Sequence, residues 1–475
     1  MSLQVKFISR AGLSLLLLGV LVALISSGSA QTVTAEKTVT VGKNVLDNGT
    51  LLSGMTWTNS GITLIDSVAV TLNMSSPFNS NPINLGDLSA SLRHGASGES
   101  YRTGSLFSAG SMNSLAQTFT QGTSFDGGYL SSGYWNLAVN DVNGGGIARL
   151  DAWKLAVTGT PLASGTMDLG AGTVLAATAA GTTEVGAAVL SNGTGASAIT
   201  LATDSGKNLN LSGGLSGSGN FSKTGEGTVR IGNSSGFSGR LEVGGGKAVI
   251  AGSLGSNSTV RVGAGGILSG TGTVSALEIA SGGTLAVGNS PGQLNAGNTT
   301  WAGGATYAWE VDDFTGNDTD FLAGRGTNWD FLNVTGTLNV TATGGASRFI
   351  IDVISLLAAD NLTKGAADEW DPLKGYSFSI ATATGGIQIG GAGYGSYGSQ
   401  AAFDSALNGL FDIRTTQFAN ATGSAALWSI STSAGGQNLL LNYNGGATAI
   451  PEPGSASLLA LGLVTLFARK RRGRG

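Results

Sequence analysis

The chain contains no cysteine, and of its 475 residues only one is histidine and seven are proline. Without cysteine there is no disulfide framework and no thiolate-ligated metal. A lone histidine, His94, excludes sites built on several imidazoles. Charge is also scarce: Asp, Glu, Lys and Arg together make up 11%, against a usual share of about 25%. The 79 glycines follow no three-residue period, which excludes collagen. No stretch between residues 31 and 450 keeps a helical period over several turns, which excludes coiled coils and helix bundles.

What remains is 41% hydrophobic, arranged in short alternating runs separated by Gly, Ser, Asn and Thr. That pattern predicts an all-β protein. In residues 51–160, three triplets alternate with polar neighbours: Leu88/Ala90/Leu92, Trp135/Leu137/Val139 and Trp153/Leu155/Val157. Each puts one apolar face on a pleated strand, and two tryptophans anchor the core of a β-sandwich. In residues 162–294, Leu241-x-Val243, Val260-x-Val262 and Leu277-x-Ile279 recur at steps of 19 and 17. The pieces beginning at Val249, Ile267 and Leu285 recur at steps of 18 and 18. A period near 18 with two or three short strands predicts a parallel β-helix, whose rungs bury a core only by stacking. Residues 295–444 hold further strands and read as a β-rich cap, with a short helix expected at residues 400–410.

Both ends carry processing signals. Residues 1–30 read as a secretory signal peptide: Lys6 and Arg10, an apolar run over 11–25, and Gly28-Ser29-Ala30, with cleavage after Ala30. At the other end Pro451-Glu452-Pro453 precedes an apolar stretch, 455–468, and then Arg469-Lys470-Arg471-Arg472. As a single helix that stretch reaches about 21 Å, short of a bilayer core of about 30 Å. Between residues 31 and 453 there are 17 basic and 28 acidic residues, a net charge of −11. Such a chain does not attract nucleic acid and suits divalent cations.

Three resemblances follow from these residues. The C-terminal end resembles the PEP-CTERM sorting signal. This implies handling by the secretion machinery and an exosortase, a transient inner-membrane intermediate, cleavage near the motif, and release to the bacterial cell surface or extracellular matrix. Gly86-Asp87-Leu88, Gly133-Tyr134-Trp135-Asn136-Leu137-Ala138-Val139-Asn140-Asp141, Leu150-Asp151-Ala152-Trp153-Lys154-Leu155 and Gly159-Thr160 resemble the P domain of subtilisin-like proprotein convertases. This implies a jelly-roll-like sandwich, without implying proteolysis. Lys223-Thr224-Gly225-Glu226-Gly227-Thr228-Val229, Ser281-Gly282-Gly283-Thr284-Leu285 and Gly288-Asn289-Ser290-Pro291-Gly292 resemble autotransporter-associated β-strand repeats. This implies a right-handed β-helix stem.

Candidate chemistry is sparse, and no catalytic set is expected. Asp312, Asp313, Asn317, Asp318 and Asp320 place five oxygen donors within nine residues. They suit calcium in a flexible loop, or form a solvated loop between strands. His94 is expected in a solvated turn. Gly288-Asn289-Ser290-Pro291-Gly292 fits Gly-x-Ser-x-Gly, but Pro291 removes an N–H where an oxyanion hole needs one. Gly393-Tyr394-Gly395-Ser396-Tyr397-Gly398 fits Gly-x-Gly-x-x-Gly without the βα alternation that motif requires. Tyr129, Tyr134, Tyr394 and Tyr397 either stack on glycans or sit partly in the β core. Asp168, Glu184, Asp204, Glu226, Glu242 and Glu278 are the acids of the stem and read as scattered over different rungs. The expectation is therefore a structural or adhesive surface protein, associated with exopolysaccharide, biofilm or other surface proteins. The alternatives are a secreted β-helix enzyme that degrades polysaccharide, and a membrane-anchored display protein that is never cut.

Overall fold

A computed structural model describes residues 32–58, 62–77, 83–84, 87–94, 100–102, 111–112, 114–121, 132–142, 147–161, 164–192, 197–315, 320–422 and 427–445. The chain is all-β with one short α-helix, and no described helix is long and apolar enough to cross a membrane. Ala30 and the sorting residues Pro451, Glu452, Pro453, Arg469, Lys470, Arg471 and Arg472 lie outside the described residues, as do Asn317, Asp318 and Tyr129. The chain divides into two compact units, residues 1–232 and 233–475.

The first unit opens with two antiparallel sheets. In one, strand Ser132–Asp141 lies between Thr50–Thr58 and Leu88–His94, and the latter also pairs with Ser100–Arg102. In the other, Ala148–Pro161 lies between Val33–Val45 and Ile62–Ser75, which pairs in turn with Ser114–Gln121. Strand Val33–Val45 precedes the residue at which the sandwich was expected to begin, and pairs along most of its length. All three predicted apolar triplets are buried. Trp153 donates its indole N–H to Ser53 Oγ at 2.9 Å, tying one sheet to the other.

The same unit then winds through three parallel rungs. Strands Val174–Ala177, Ile199–Ala202 and Phe221–Thr224 form one row, and Gly181–Glu184, Lys207–Leu211 and Thr228–Ile231 a second. Ser164–Asp168, Ala187–Ser191 and Leu215–Ser216 form a third. Leu175, Leu201 and Lys223 occupy one in-register column. The lysine is fully buried there, and its ammonium donates to the carbonyls of Thr224 at 3.0 Å and Gly225 at 2.6 Å. Burial lowers its pKa to about 8, against a smaller raising effect of Glu226.

The second unit stacks parallel strands in two rows. One runs through Arg240–Val243, Thr259–Val262, Thr273–Ile279 and Gln293–Trp301. The steps of 19 and 17 predicted for Leu241, Val260 and Leu277 are the register found. Val243, Val262, Ile279, Trp301 and Val340 continue as a buried column, with Trp301 stacked on Phe349 at 4.4 Å. The other row runs through Gly246–Ile250, Gly266–Gly270, Thr284–Val287, Thr306–Val311, Phe349–Ser355 and Phe411–Gln417. Its buried column is Ala248, Leu268 and Leu285, at steps of 20 and 17. The equal steps expected from Val249, Ile267 and Leu285 fail because Val249 and Ile267 sit on the opposite, half-exposed parity of their strands.

Residues 295–444, expected to form a cap, carry strands that extend both rows. Tyr307 pairs with Ile351, and Ile351 with Ile413. Antiparallel pairs join these rows: Ile387–Ile389 pairs with Ala392–Gly393, and Asn438–Asn444 lies between Tyr376–Ala383 and Leu427–Thr432. The helix spans Gln400–Asn408, started by Ser399 Oγ accepting from Ala402 N, and buries Phe403 and Leu407.

Candidate functional site

The second unit brings together acids that no sequence spacing connects. Gly292 N–H donates to Asp330 Oδ1 at 2.9 Å, and Glu310 N–H to Asp330 Oδ2 at 3.2 Å. Ser290, held at φ 65°, donates to Glu310 Oε2 at 2.5 Å. Asp330 is fully buried, and its pKa is pushed well up by burial first and by Glu310 second. Burial likewise raises Glu310, opposed by the Ser290 hydrogen bond. This set latches the turn 288–292 to strand Thr306–Val311 and to residue 330.

The latch does not make Ser290 a nucleophile of the hydrolase kind. Such a serine needs N–H donors beside it for the oxyanion. Pro291 has none, and the Gly292 N–H is already given to Asp330.

Of the five residues expected to suit calcium, Asp312, Asp313 and Asp320 are among those described. Asp313 Oδ1 accepts from Thr315 N at 2.9 Å and Thr315 Oγ1 at 2.7 Å, and Asp320 Oδ1 accepts from Leu322 N at 2.9 Å. Both carboxylates close their own turns. Asp312 is turned inward, 4% exposed, with Oδ1 lacking a hydrogen-bond partner among the described residues. Burial, then Asp313 and Asp368, push its pKa up to about 6. Among the described residues no three acidic or imidazole groups converge to hold a metal.

Glu242 and Glu278 are not scattered. They fall in register on either side of Arg261, which donates to Glu242 at 2.6 Å and to Glu278 at 3.0 Å. Arg240 joins the row through Glu242 at 3.1 Å. Opposite charges at the same position of successive rungs pair across the ladder. Both hydrogen bonds hold the Arg261 proton more firmly.

His94 is not in a solvated turn. It continues the parity of Leu88, Ala90 and Leu92, is 1% exposed, and packs tilted against Trp135 with ring centroids 4.4 Å apart. Burial lowers its pKa. Tyr394 begins a single 3₁₀ turn and packs edge-on to Phe403, as does Tyr397 at 5.1 Å. Tyr134 is half exposed.

Sequence reasoning missed a recess of about 350 Å³ beside strand Phe411–Gln417, lined by Arg348, Asn408, Asp412, Thr415 and Trp428 among others. Arg348 Nε donates to Gly409 O at 3.1 Å, Asn408 Oδ1 accepts from Ile430 N at 2.7 Å, and Asp412 pairs with Arg414 at 2.9 Å. These residues span about eighty positions, and only the closing of the last rung gathers them.

No family model and no curated protein matches the chain. Partial likeness extends to two crystal structures of the serine protease of Aeromonas sobria. The protease alone is 18% identical over 29% of this chain and 29% of that chain, with a TM-score of 0.22. Its complex with a chaperone gives 16% identity over 30% and 29%, also with a TM-score of 0.22. The chain thus spans under a third of the length of those proteins, and likeness at this level carries no argument.

Proposed function

We propose that this is an exported bacterial surface or matrix protein with a structural and adhesive role toward exopolysaccharide. In this reading the antiparallel region is a jelly-roll-like sandwich and the parallel rows are a right-handed β-helix stem. The tail bearing Pro451, Glu452 and Pro453 is the address that an exosortase reads and removes. The observation that carries the reading is the in-register ladder of the second unit, where six strands from Gly246–Ile250 to Phe411–Gln417 stack in one row. Such a ladder supplies an extended rigid face on which weak contacts add. The net charge of −11 over residues 31–453 favours neutral or cation-bridged polymers over nucleic acid.

The test is co-sedimentation of the secreted chain with exopolysaccharide from the producing cells, with and without EDTA. The polymer is sized before and after, and the protein's C-terminus is read by mass spectrometry. Binding without shortening, by a chain lacking Arg469-Lys470-Arg471-Arg472, is the expected result. A shortened polymer would favour the degrading enzyme, and an intact tail the uncut display protein.

A further inference from the structure

We propose that the recess beside strand Phe411–Gln417 binds one pyranose unit of a polysaccharide chain, an assignment that rests on and sharpens the matrix reading. Its volume of about 350 Å³ lies at the small end of ligand sites and suits a sugar ring or two. Three planar polar groups line it: the Arg348 guanidinium, the Asn408 carboxamide and the Asp412 carboxylate, with the Thr415 hydroxyl alongside. Vicinal sugar hydroxyls are donors and acceptors at fixed spacing, which forked planar groups match in pairs. The Arg348 fork is oriented through Nε to Gly409 O, and Asp412 through Arg414. Positive and negative groups therefore meet the ligand from prepared positions.

Trp428 is an aromatic side chain that lines the recess beside these polar groups. Its indole N–H is shielded from solvent and has no hydrogen-bond partner among the described residues. The ring is held between neighbours, parallel to Trp370 with an interplanar angle of 2° and edge-on to Phe418 at 5.5 Å. It therefore loses little freedom on binding. Strand Phe411–Gln417 is the last of its sheet, so an added peptide strand is the rival occupant. Strand addition draws its specificity from side-chain pockets along the edge, whereas these polar groups line a single recess.

The secreted chain, labelled with ¹⁵N at its indoles, is titrated with cellotetraose and separately with tetragalacturonate. The Trp428 signal is assigned by its loss in Trp428→Phe. The expected result is a shift of that signal with at least one tetramer, and a loss of affinity of about tenfold or more in Arg348→Ala and in Thr415→Val. The responding tetramer tells a neutral from an acidic sugar. No shift with either at about 10 mM, well above ordinary lectin-like affinity, overturns the assignment, and so does binding that neither variant weakens. If Arg348→Ala still co-sediments with native polymer as wild type does, the recess assignment falls and the matrix reading stands. If wild type does not co-sediment yet the tetramer moves Trp428, the matrix reading falls and the recess stands.

Discussion

Asp312 is a carboxylate that the fold holds at a cost when ionised. It is 4% exposed, and its pKa is pushed up from 3.8 to about 6, by burial before any neighbour. The folded state therefore binds its proton more tightly than the unfolded chain does. The resulting stabilisation is complete below about pH 4 and is lost as pH rises through about 6. Asp312→Asn has no such term. Calorimetry of both proteins between about pH 4 and pH 8 should show the variant gaining on wild type as pH rises. A constant difference in melting temperature across that range would contradict the assignment. His94 makes a complementary point. Its place in the parity of Leu88, Ala90 and Leu92 was legible, but the following Gly-Ala-Ser-Gly run suggested a turn one residue too early.

Strands and turns carry the next set of consequences. The Arg240, Glu242, Arg261 and Glu278 row lies on a partly exposed sheet face, with Arg261 32% accessible. Arg261→Ala leaves two glutamates without the cation between them. The expected loss is modest, under about 1 kcal/mol, and should shrink at about 1 M salt. Urea titrations at low and high salt check this, and a loss that salt does not change would show that packing, not charge, is at stake. Close stacking predicts more severe effects at Gly297. A Cβ there would stand 1.8 Å from the Ser275 carbonyl oxygen on the adjacent strand. Gly297→Ala should cost about 1–3 kcal/mol. Gly395→Ala, where a Cβ meets nothing within 4 Å, should be close to neutral. Equal melting temperatures for the two variants would contradict the rung geometry.

At the scale of the whole molecule, protection should follow the ladder. Lys364 and Lys374 are exposed on segments between strands, whereas Lys223 is buried in a column and Arg261 is paired within the sheet. Limited trypsin digestion of the native chain should cut at Lys364 and Lys374 well before Lys223 or Arg261, because cleavage needs locally opened backbone. Early cuts at Lys223 would mean that its rung is not stacked as described.

The class of the fold was written in the chain. Alternation and abundant glycine make strands and tight corners, and the steps of 19 and 17 among Leu241, Val260 and Leu277 state their own register. These are local properties, set by side-chain parity and backbone freedom. What only the tertiary structure decided are the joins across insertions. Tyr307 meets Ile351 after 44 residues, and Ile351 meets Ile413 after 62, so the repeat continues after its spacing has ceased to be readable. Ser290, Glu310 and Asp330, and likewise Arg348, Asn408 and Trp428, come together only through that stacking. A loop of any length can separate two strands at small entropic cost, so spacing in the sequence holds no record of which residues the rungs finally place side by side.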